Sequence, residues 1–165
     1  TPMQMVGAYQ AIANGGVRED LQLVDGCTLA DGPVVAPEQN EPTRVVSPET
    51  ADTLLAMMEH VVTDYGAVEF PIPGYRVAAK TGTAEVVLDP AVGYDPVQRI
   101  VTTAGIFPAD DPQFIVYVEL DLPQTERTSA AAIPLFHDMV SLLIREYDIP
   151  PSTSQAPDLP LEWTD

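Results

Sequence analysis

Hydrophobic side chains recur at helical spacing near the start of the chain, in the segment Pro2–Asn14. Thr1 is suited to cap this segment, and Pro2 occupies the first helical position, where no backbone donor is needed. Asn14-Gly15-Gly16 tolerates left-handed backbone geometry and can end the helix. The pattern therefore predicts an amphipathic helix. Its apolar face consists of Met5, Ala8, Tyr9, Ile12 and Ala13.

A second helix is predicted to begin at Ser47-Pro48-Glu49, which combines a cap, a first-turn proline and an acid favoured by the helix dipole. We expect it to end near Tyr65-Gly66. Its apolar stripe consists of Ala51, Leu54, Leu55, Met58, Val61 and Val62. Residues 17–46, between the two helices, show no sustained period and predict a loop-rich excursion with short strands at Leu21–Val24 and Val34–Ala36.

The pattern changes to that of strands after Pro73. Segments rich in valine, threonine and aromatic residues predict strands at Tyr75–Val87, Ile100–Phe107 and Gln113–Leu120. A turn-rich stretch at residues 108–112 joins the last two strands as a hairpin. Leu88–Gln98, with a glycine and two prolines, is expected to be a longer loop.

A last helix is predicted over roughly Ala130–Tyr147, with Pro134 kinking it or delaying its start. This order predicts an α+β fold, an antiparallel sheet packed with helices. We assign residues 1–148 to the domain and residues 149–165 to a proline-rich acidic tail that is not a packed element. Within that tail, Trp163 is expected to dock through a groove shared with nearby leucines.

Charge and composition narrow the functions that this chain can have. The 165 residues carry a formal net charge of −18, from 25 acidic and seven basic residues, so nucleic acid is an unfavourable partner. Cys27 is the single cysteine, so no internal disulfide can form. No stretch has the apolar length of a membrane span. Because Thr1 is not a start methionine, we expect an upstream portion that holds any anchor or export signal.

Lys80, the single lysine, begins the sequence Lys80-Thr81-Gly82-Thr83 inside a predicted strand. A glycine within a strand indicates a bulge or the close approach of another group. One cation, two hydroxyls and accessible amides can hold a carboxylate and aim an N–H at a developing oxyanion. The alternative is a surface strand on which Lys80 only discourages edge-to-edge pairing.

The Lys-Thr-Gly motif resembles a signature of penicillin-binding proteins and serine β-lactamases. Further segments are similar to class B penicillin-binding proteins, in the family's order over about residues 1–147. They are Thr1–Met5 through Ala13–Gly16, Val46–Ala51, Pro73–Ala78 with Lys80–Ala84, and Gly105–Ala109 with Pro112. The resemblance implies the C-terminal portion of a transpeptidase domain with the serine β-lactamase/transpeptidase-like fold.

The implied activity is peptidoglycan D,D-transpeptidation through a serine acyl-enzyme, with β-lactams as acylating inhibitors. By this resemblance Lys80 lies by the nucleophile and supports proton transfer by its charge. The Thr83 amide supplies one oxyanion-hole donor, and the Thr81 and Thr83 hydroxyls bind the substrate carboxylate. Gly82 leaves room for the substrate backbone. No cofactor is implied.

The family's Ser-x-x-Lys and Ser-x-Asn motifs are both absent from the sequence. In particular, none of the five serines is followed by a lysine three residues later. We expect both motifs in an upstream portion of the same protein, so this chain alone is predicted to be inactive. The resemblance implies location at the extracytoplasmic face of the bacterial membrane, and stem peptides, β-lactams and cell-wall synthesis proteins as partners.

Three other functions stay open: a penicillin-sensing receptor domain, a serine β-lactamase and a non-catalytic scaffold. No metal site is expected. His60 and His137 lack a second ligand at metal spacing. Asp110, Asp111 and Asp121 fit a solvated turn and a strand end better than a calcium loop.

Overall fold

The computed structural model describes residues 1–28, 32–64, 70–89 and 91–159. Three α-helices span Pro2–Ala13 (α1), Pro48–Asp64 (α2) and Ile133–Glu146 (α3), and a 3-10 helix covers Ser129–Ala131. Four two-residue strands, β1 to β4, are Val17–Arg18, Cys27–Thr28, Val34–Val35 and Thr43–Arg44. Three long strands follow at Ala78–Asp89 (β5), Gly93–Phe107 (β6) and Phe114–Asp121 (β7). Among these ranges no helix has the length and apolar content required to cross a bilayer.

The predicted starts of α1 and α2 are confirmed, because local capping decides them. The Thr1 hydroxyl accepts from the Gln4 amide, and the Gln4 side chain reaches back to the Thr1 amino group, which completes a capping box. The Ser47 hydroxyl accepts from the Thr50 amide at the start of α2. Pro134 delays the last helix, which begins at Ile133 after the separate 3-10 turn. Helix α2 extends to Asp64, and its expected end at residues 65–66 lies outside the described residues.

The three long strands form one antiparallel sheet in the order β5-β6-β7, as the sequence predicts. The expected loop over residues 88–98 is largely wrong, because β5 and β6 continue as a ribbon in which Val87 pairs with Tyr94 and Asp89 with Gly93. Gly93 has a φ of +98°, a conformation that suits a glycine at a tight reversal. Strand β5 also begins later than expected, at Ala78 rather than Tyr75.

Of the two short strands expected in the excursion, the one at Val34–Ala36 is observed as Val34–Val35 and the one at Leu21–Val24 is not. Val34–Val35 pairs with Cys27–Thr28, and Val17–Arg18 pairs with Thr43–Arg44, whereas Leu21–Val24 forms no strand. Backbone pairing rather than side-chain burial defines these pieces, since most of their side chains are exposed. Hydrophobic periodicity therefore carries little signal there.

Both faces of the sheet are covered by helices. On one face Ala78 and Ile106 pack with Met58 of α2, and residues of α1 complete this smaller cluster. On the other face Ala79 and Phe107 pack with Phe136 of α3 in the larger cluster. Successive residues of a strand point to opposite faces, so this assignment fixes the direction of every side chain in the first half of β5.

Residues 149–159, which we name the C-terminal strap, lie against the domain. Ile149 is buried in the larger cluster, and its carbonyl accepts from the Tyr75 hydroxyl at 2.9 Å. The Ser152 amide donates to the Gly74 carbonyl at 2.9 Å. The expectation that the chain does not pack beyond Asp148 is therefore wrong for the strap. The division of the chain at residue 148 stays a prediction, and the expected docking of Trp163 lies outside the described residues.

Candidate functional site

The sequence Lys80-Thr81-Gly82-Thr83 lies in regular sheet on strand β5. Lys80 is opposite Ala104, Thr81 opposite Thr103, Gly82 opposite Thr102 and Thr83 opposite Val101, with no register shift before Glu85. Strand β6 occupies one edge of β5, and no strand of the described residues pairs with the other. The whole motif therefore borders a free edge to which an extended chain can add.

The hydrogen bond of Lys80 indicates which backbone groups point to that free edge. Its Nζ donates to the Thr81 carbonyl oxygen at 2.8 Å, so this carbonyl points away from β6. In an antiparallel strand the N–H and C=O of one residue point the same way, and the direction alternates along the strand. The amides of Thr81 and Thr83 consequently face the free edge, whereas Gly82 bonds to Thr102 across the ladder.

Side-chain directions divide the motif between the two faces of the sheet. Lys80 and Gly82 share the face of Ala78, towards α1 and α2, and Thr81 and Thr83 share the face of Ala79, towards α3. Lys80 and Thr83 are exposed and Thr81 is buried. Neither threonine hydroxyl of the motif forms a hydrogen bond within the described part of the chain, so both can bind a ligand.

The strand glycine has a structural cause inside the sheet. A Cβ at Gly82 would lie 2.5 Å from the Thr102 Oγ1, which is closer than real Cβ contacts allow. The group that closely approaches this glycine, as the sequence predicts, is therefore the side chain of its cross-strand neighbour. Any larger residue requires the Thr102 side chain to move.

Gly105 of β6 sets the distance between the sheet and helix α3. A Cβ at this position would lie 2.7 Å from the Phe136 ring and 2.8 Å from the Ala79 side chain. The missing side chain lets α3 press against the strand immediately before the motif. This contact supports β5 from the face opposite to Lys80.

A buried ion pair, which the sequence analysis did not identify, lies at the start of β5. The Arg76 guanidinium donates to both carboxylate oxygens of Glu59, at 2.7 and 2.6 Å, and Glu59 is only 2% exposed. The hydrogen bond with Glu59 raises the pKa of Arg76. In the sequence, only the acidic residue at position 59, next to the apolar Met58 in α2, could have indicated this pair. Its partner lies 17 residues away, so local spacing does not identify it.

The C-terminal strap closes over this ion pair. Arg76 donates from its amide to the Ser152 hydroxyl and from its guanidinium to the Ser154 hydroxyl, and Ser152 donates to Asp110. A cleft of ≈ 320 Å³ beside Glu59 and Arg76 is lined by neither the lysine nor the threonines of the motif. We therefore regard this network as support for the strand.

His60 holds the strap further along its course. One ring nitrogen lies 3.0 Å from the Asp64 carboxylate, and the other lies 3.0 Å from the Pro157 carbonyl. The hydrogen bond to Asp64 raises the pKa of His60 most, and the hydrogen bond to Pro157 raises it further. No three or more His, Cys, Asp or Glu side chains of the described ranges are grouped as a metal site would require.

Comparison with known families gives one match over most of the chain. Residues 1–141 match the penicillin binding protein transpeptidase domain. Curated relatives include penicillin-binding protein PbpB of Mycolicibacterium smegmatis, 39% identical over 176 residues, and peptidoglycan D,D-transpeptidase FtsI of Escherichia coli K12, 34% identical over 155 residues. These alignments cover 99% and 92% of this chain but only 27% and 24% of the relatives, so the chain spans about a quarter of their length.

Solved structures agree with this match. Penicillin binding protein 3 from Mycobacterium tuberculosis, complexed with ampicillin, superposes with a TM-score of 0.83 at 35% identity, over 99% of this chain and 38% of that one. The transpeptidase domain of penicillin-binding protein 3 from Burkholderia pseudomallei gives a TM-score of 0.72 at 30% identity, over 93% and 44%. The expected fold class is confirmed, and the chain corresponds to part of that fold.

Proposed function

The chain belongs to the penicillin binding protein transpeptidase family, and we propose that it is the C-terminal part of a D,D-transpeptidase that cross-links peptidoglycan stem peptides. The observation that carries this proposal is the free edge of β5. It presents a cation at Lys80, two threonine hydroxyls without a bond in the described chain, and the outward amide of Thr83.

This arrangement suits an extended peptide that ends in a carboxylate. A stem peptide can add to the free edge as a further strand, through the backbone groups of Thr81 and Thr83. Its terminal carboxylate accepts hydrogen bonds from their hydroxyls, and the positive charge of Lys80 lowers the electrostatic free energy of the bound anion. The ampicillin named in the complex of the Mycobacterium tuberculosis relative is a β-lactam. We propose that such compounds occupy the same edge of this protein.

The covalent chemistry requires groups that we place in an upstream portion of the protein. There a serine hydroxyl attacks the carbonyl carbon of the penultimate D-alanine, and the amide bond to the terminal D-alanine breaks. The serine proton passes through a base to the leaving amine. The amine of a neighbouring stem peptide then attacks the ester carbonyl carbon, the bond to the serine oxygen breaks, and a proton from the amine returns through the base to the serine.

In these steps the residues of the described chain stabilise charge and orient the substrate. The Thr83 amide donates to the carbonyl oxygen as negative charge develops on it, together with the nucleophile's own amide. The ammonium of Lys80 lies beside the nucleophile and favours loss of its proton. This division of roles requires Ser-x-x-Lys and Ser-x-Asn motifs upstream. We further propose that an upstream anchor holds the protein at the extracytoplasmic face of the membrane, where it works with other cell-wall synthesis proteins.

Acylation of the full-length protein by a labelled penicillin tests the proposal. We expect a stable mass increase of one penicillin on an upstream serine, lost when Lys80 is replaced by alanine. The matched control, Arg145→Ala, removes an exposed cation from α3 and should leave acylation unchanged. Absence of acylation in the unsubstituted protein would contradict the proposal and favour a scaffold.

The rate of deacylation separates the remaining alternatives. A serine β-lactamase hydrolyses the acyl-enzyme rapidly and consumes penicillin in many turnovers, whereas a transpeptidase or a sensor retains the label. Release of D-alanine from a pentapeptide donor, with incorporation of an amine acceptor, distinguishes the transpeptidase from the sensor.

A further inference from the structure

Thr103, in the middle of strand β6, is a buried polar side chain that the chemistry above does not use. It is fully buried, and its Oγ1 has no hydrogen-bond partner in the part of the chain that the structure describes. A buried hydroxyl without a partner lowers stability, and such groups are few in native proteins. Valine has nearly the same shape without the hydroxyl, so packing alone does not favour threonine here.

The neighbour of Thr103 across the ladder is Thr81 of the candidate site. Because the Thr81 backbone groups face the free edge, Thr81 and Thr103 form a non-hydrogen-bonded pair, in which side chains approach more closely than in the alternate pairs. Their side chains lie on the same face of the sheet, with Cβ atoms about 4.5–5.5 Å apart. Two threonine hydroxyls on such a pair can reach hydrogen-bond distance through rotation about χ1.

Thr81 is the residue directly opposite Thr103 on this face of the sheet, and it is polar. On the same face, Gly105 offers no side chain, Ala79 is apolar and Phe136 covers them. The 3-10 helix Ser129–Ala131 also packs against β5 and β6. Thr81 forms the boundary between this buried layer and the free edge, and its hydroxyl forms no bond in the described chain.

We propose that Thr103 is a positioning residue that orients the Thr81 hydroxyl towards the carboxylate of a bound stem peptide or β-lactam, an inference that rests on the proposed function. The Thr103 hydroxyl donates to Thr81 Oγ1, and the Thr81 hydroxyl donates to the carboxylate. Each hydroxyl then has one acceptor for its single proton. The chain of bonds polarises Thr81 and strengthens its bond to the anion. In the bound protein Thr81 is thereby the partner that the Thr103 hydroxyl lacks in the free protein.

Thr103→Val in the full-length protein tests this role, with the second-order rate constant of acylation as the readout. For benzylpenicillin, which carries the carboxylate, we expect about a fivefold decrease, the effect of losing one ordinary hydrogen bond. For benzylpenicillin methyl ester, which lacks the anion, we expect no change. The melting temperature should stay the same or rise, since the substitution removes an unpaired buried hydroxyl.

Three further variants keep the outcome interpretable. Thr103→Ser retains the hydroxyl and should restore the rate with benzylpenicillin. In a Thr81→Val background, Thr103→Val should add no further loss, because the two residues act as one unit. Thr63→Val, on a helix-bonded threonine of α2, is the matched control and should change neither rate.

Each of these measurements supports or overturns the positioning role of Thr103. Equal rates for Thr103→Val and the unsubstituted protein, additive losses in the double variant, or equal losses with both ligands together with a lower melting temperature would overturn the positioning role. If the unsubstituted protein is not acylated, the proposed function fails and this inference fails with it. If it is acylated normally while Thr103→Val has no effect, only this inference fails.

Discussion

Individual side chains of β5 and β6 are coupled in pairs across the ladder. Gly82 faces Thr102, Thr81 faces Thr103, and Gly105 admits the ring of Phe136. The motif is therefore a property of two strands, although its residues are consecutive on one. A substitution on β6 at one of these positions therefore changes the packing of the β5 residue that it faces.

Lys80 and Thr83, at the two ends of the motif, should respond differently to replacement by alanine. In the full-length protein, Lys80→Ala should abolish acylation, because the proposed function places the lysine charge beside the upstream nucleophile. Thr83→Ala keeps the backbone amide and loses one hydroxyl bond to a carboxylate, worth roughly 1.5–3 kcal/mol, or a tenfold to hundredfold decrease. Acylation rates measure both, and equal losses would show that the roles are wrongly assigned.

The close contact at Gly82 predicts a compensating pair of substitutions. Gly82→Ala should lower the free energy of unfolding by about 1–3 kcal/mol, because the new methyl group overpacks against the Thr102 side chain. In a Thr102→Ala background that contact is absent, and the same substitution should cost much less. Chemical denaturation of the four proteins measures the coupling, and equal costs in both backgrounds would contradict it.

At the level of elements, the C-terminal strap and helix α2 hold the start of β5. The strap bonds to Gly74, Tyr75 and Arg76, and α2 supplies Glu59 to the same arginine. These residues come directly before the strand that carries the motif. The register of β5 against β6 is therefore supported from outside the sheet.

Neutralising the buried member of this network should be far more costly than neutralising an exposed acid. Glu59→Gln leaves Arg76 without its anion, at a cost of up to about 3–5 kcal/mol in the free energy of unfolding. Glu85→Gln is the matched control, since it removes a half-exposed partner of Arg99 and should cost less than about 1 kcal/mol. Denaturation midpoints of both variants test this order.

The attachment of the strap should weaken as pH rises. The pKa of His60 is raised in the folded state, so its contribution is fully present below the unfolded value of about 6.5 and is lost above the folded value. Protonated His60 can donate to both Asp64 and Pro157. Hydrogen exchange of residues 152–159 should therefore be faster at pH 8 than at pH 6, after correction for intrinsic rates. His60→Gln should remove the difference, and a persistent difference would assign it to another group.

At the level of the whole molecule, the proposed function makes this chain one side of an active site. Its free edge presents binding groups, whereas the nucleophile and base are expected upstream. Apolar side chains are also exposed outside the sheet, among them Met5, Leu23, Val24, Val34 and Val35. A surface of this kind favours association with a further segment or partner.

The isolated 165-residue chain should not be acylated by penicillin. Binding groups without a nucleophile give weak reversible affinity at most, because no covalent bond can form. Intact mass spectrometry after incubation measures the outcome, with the full-length protein under the same conditions as the positive control. A stable adduct on the isolated chain would place a nucleophile within these residues and overturn the prediction.

Local features of the sequence determined the helix starts, the three long strands and the candidate motif. Caps at Thr1 and Ser47 act within one turn, and the Lys-Thr-Gly-Thr sequence is continuous, so both can be recognised without knowing the fold. The extension of β5 to Asp89 and of β6 back to Gly93 could not be recognised in this way. Its polar residues and prolines are typical of a loop, and pairing with the other strand overrides that preference.

Tertiary structure alone decided which polar groups are buried and what they face. Glu59 meets Arg76, the strap meets Gly74, and Thr103 meets Thr81, across separations of 17 or more residues. Such contacts depend on strand register and helix docking, and no local period of the sequence encodes them. A buried polar group is defined by its distant partner, so its role emerges only when the chain is folded.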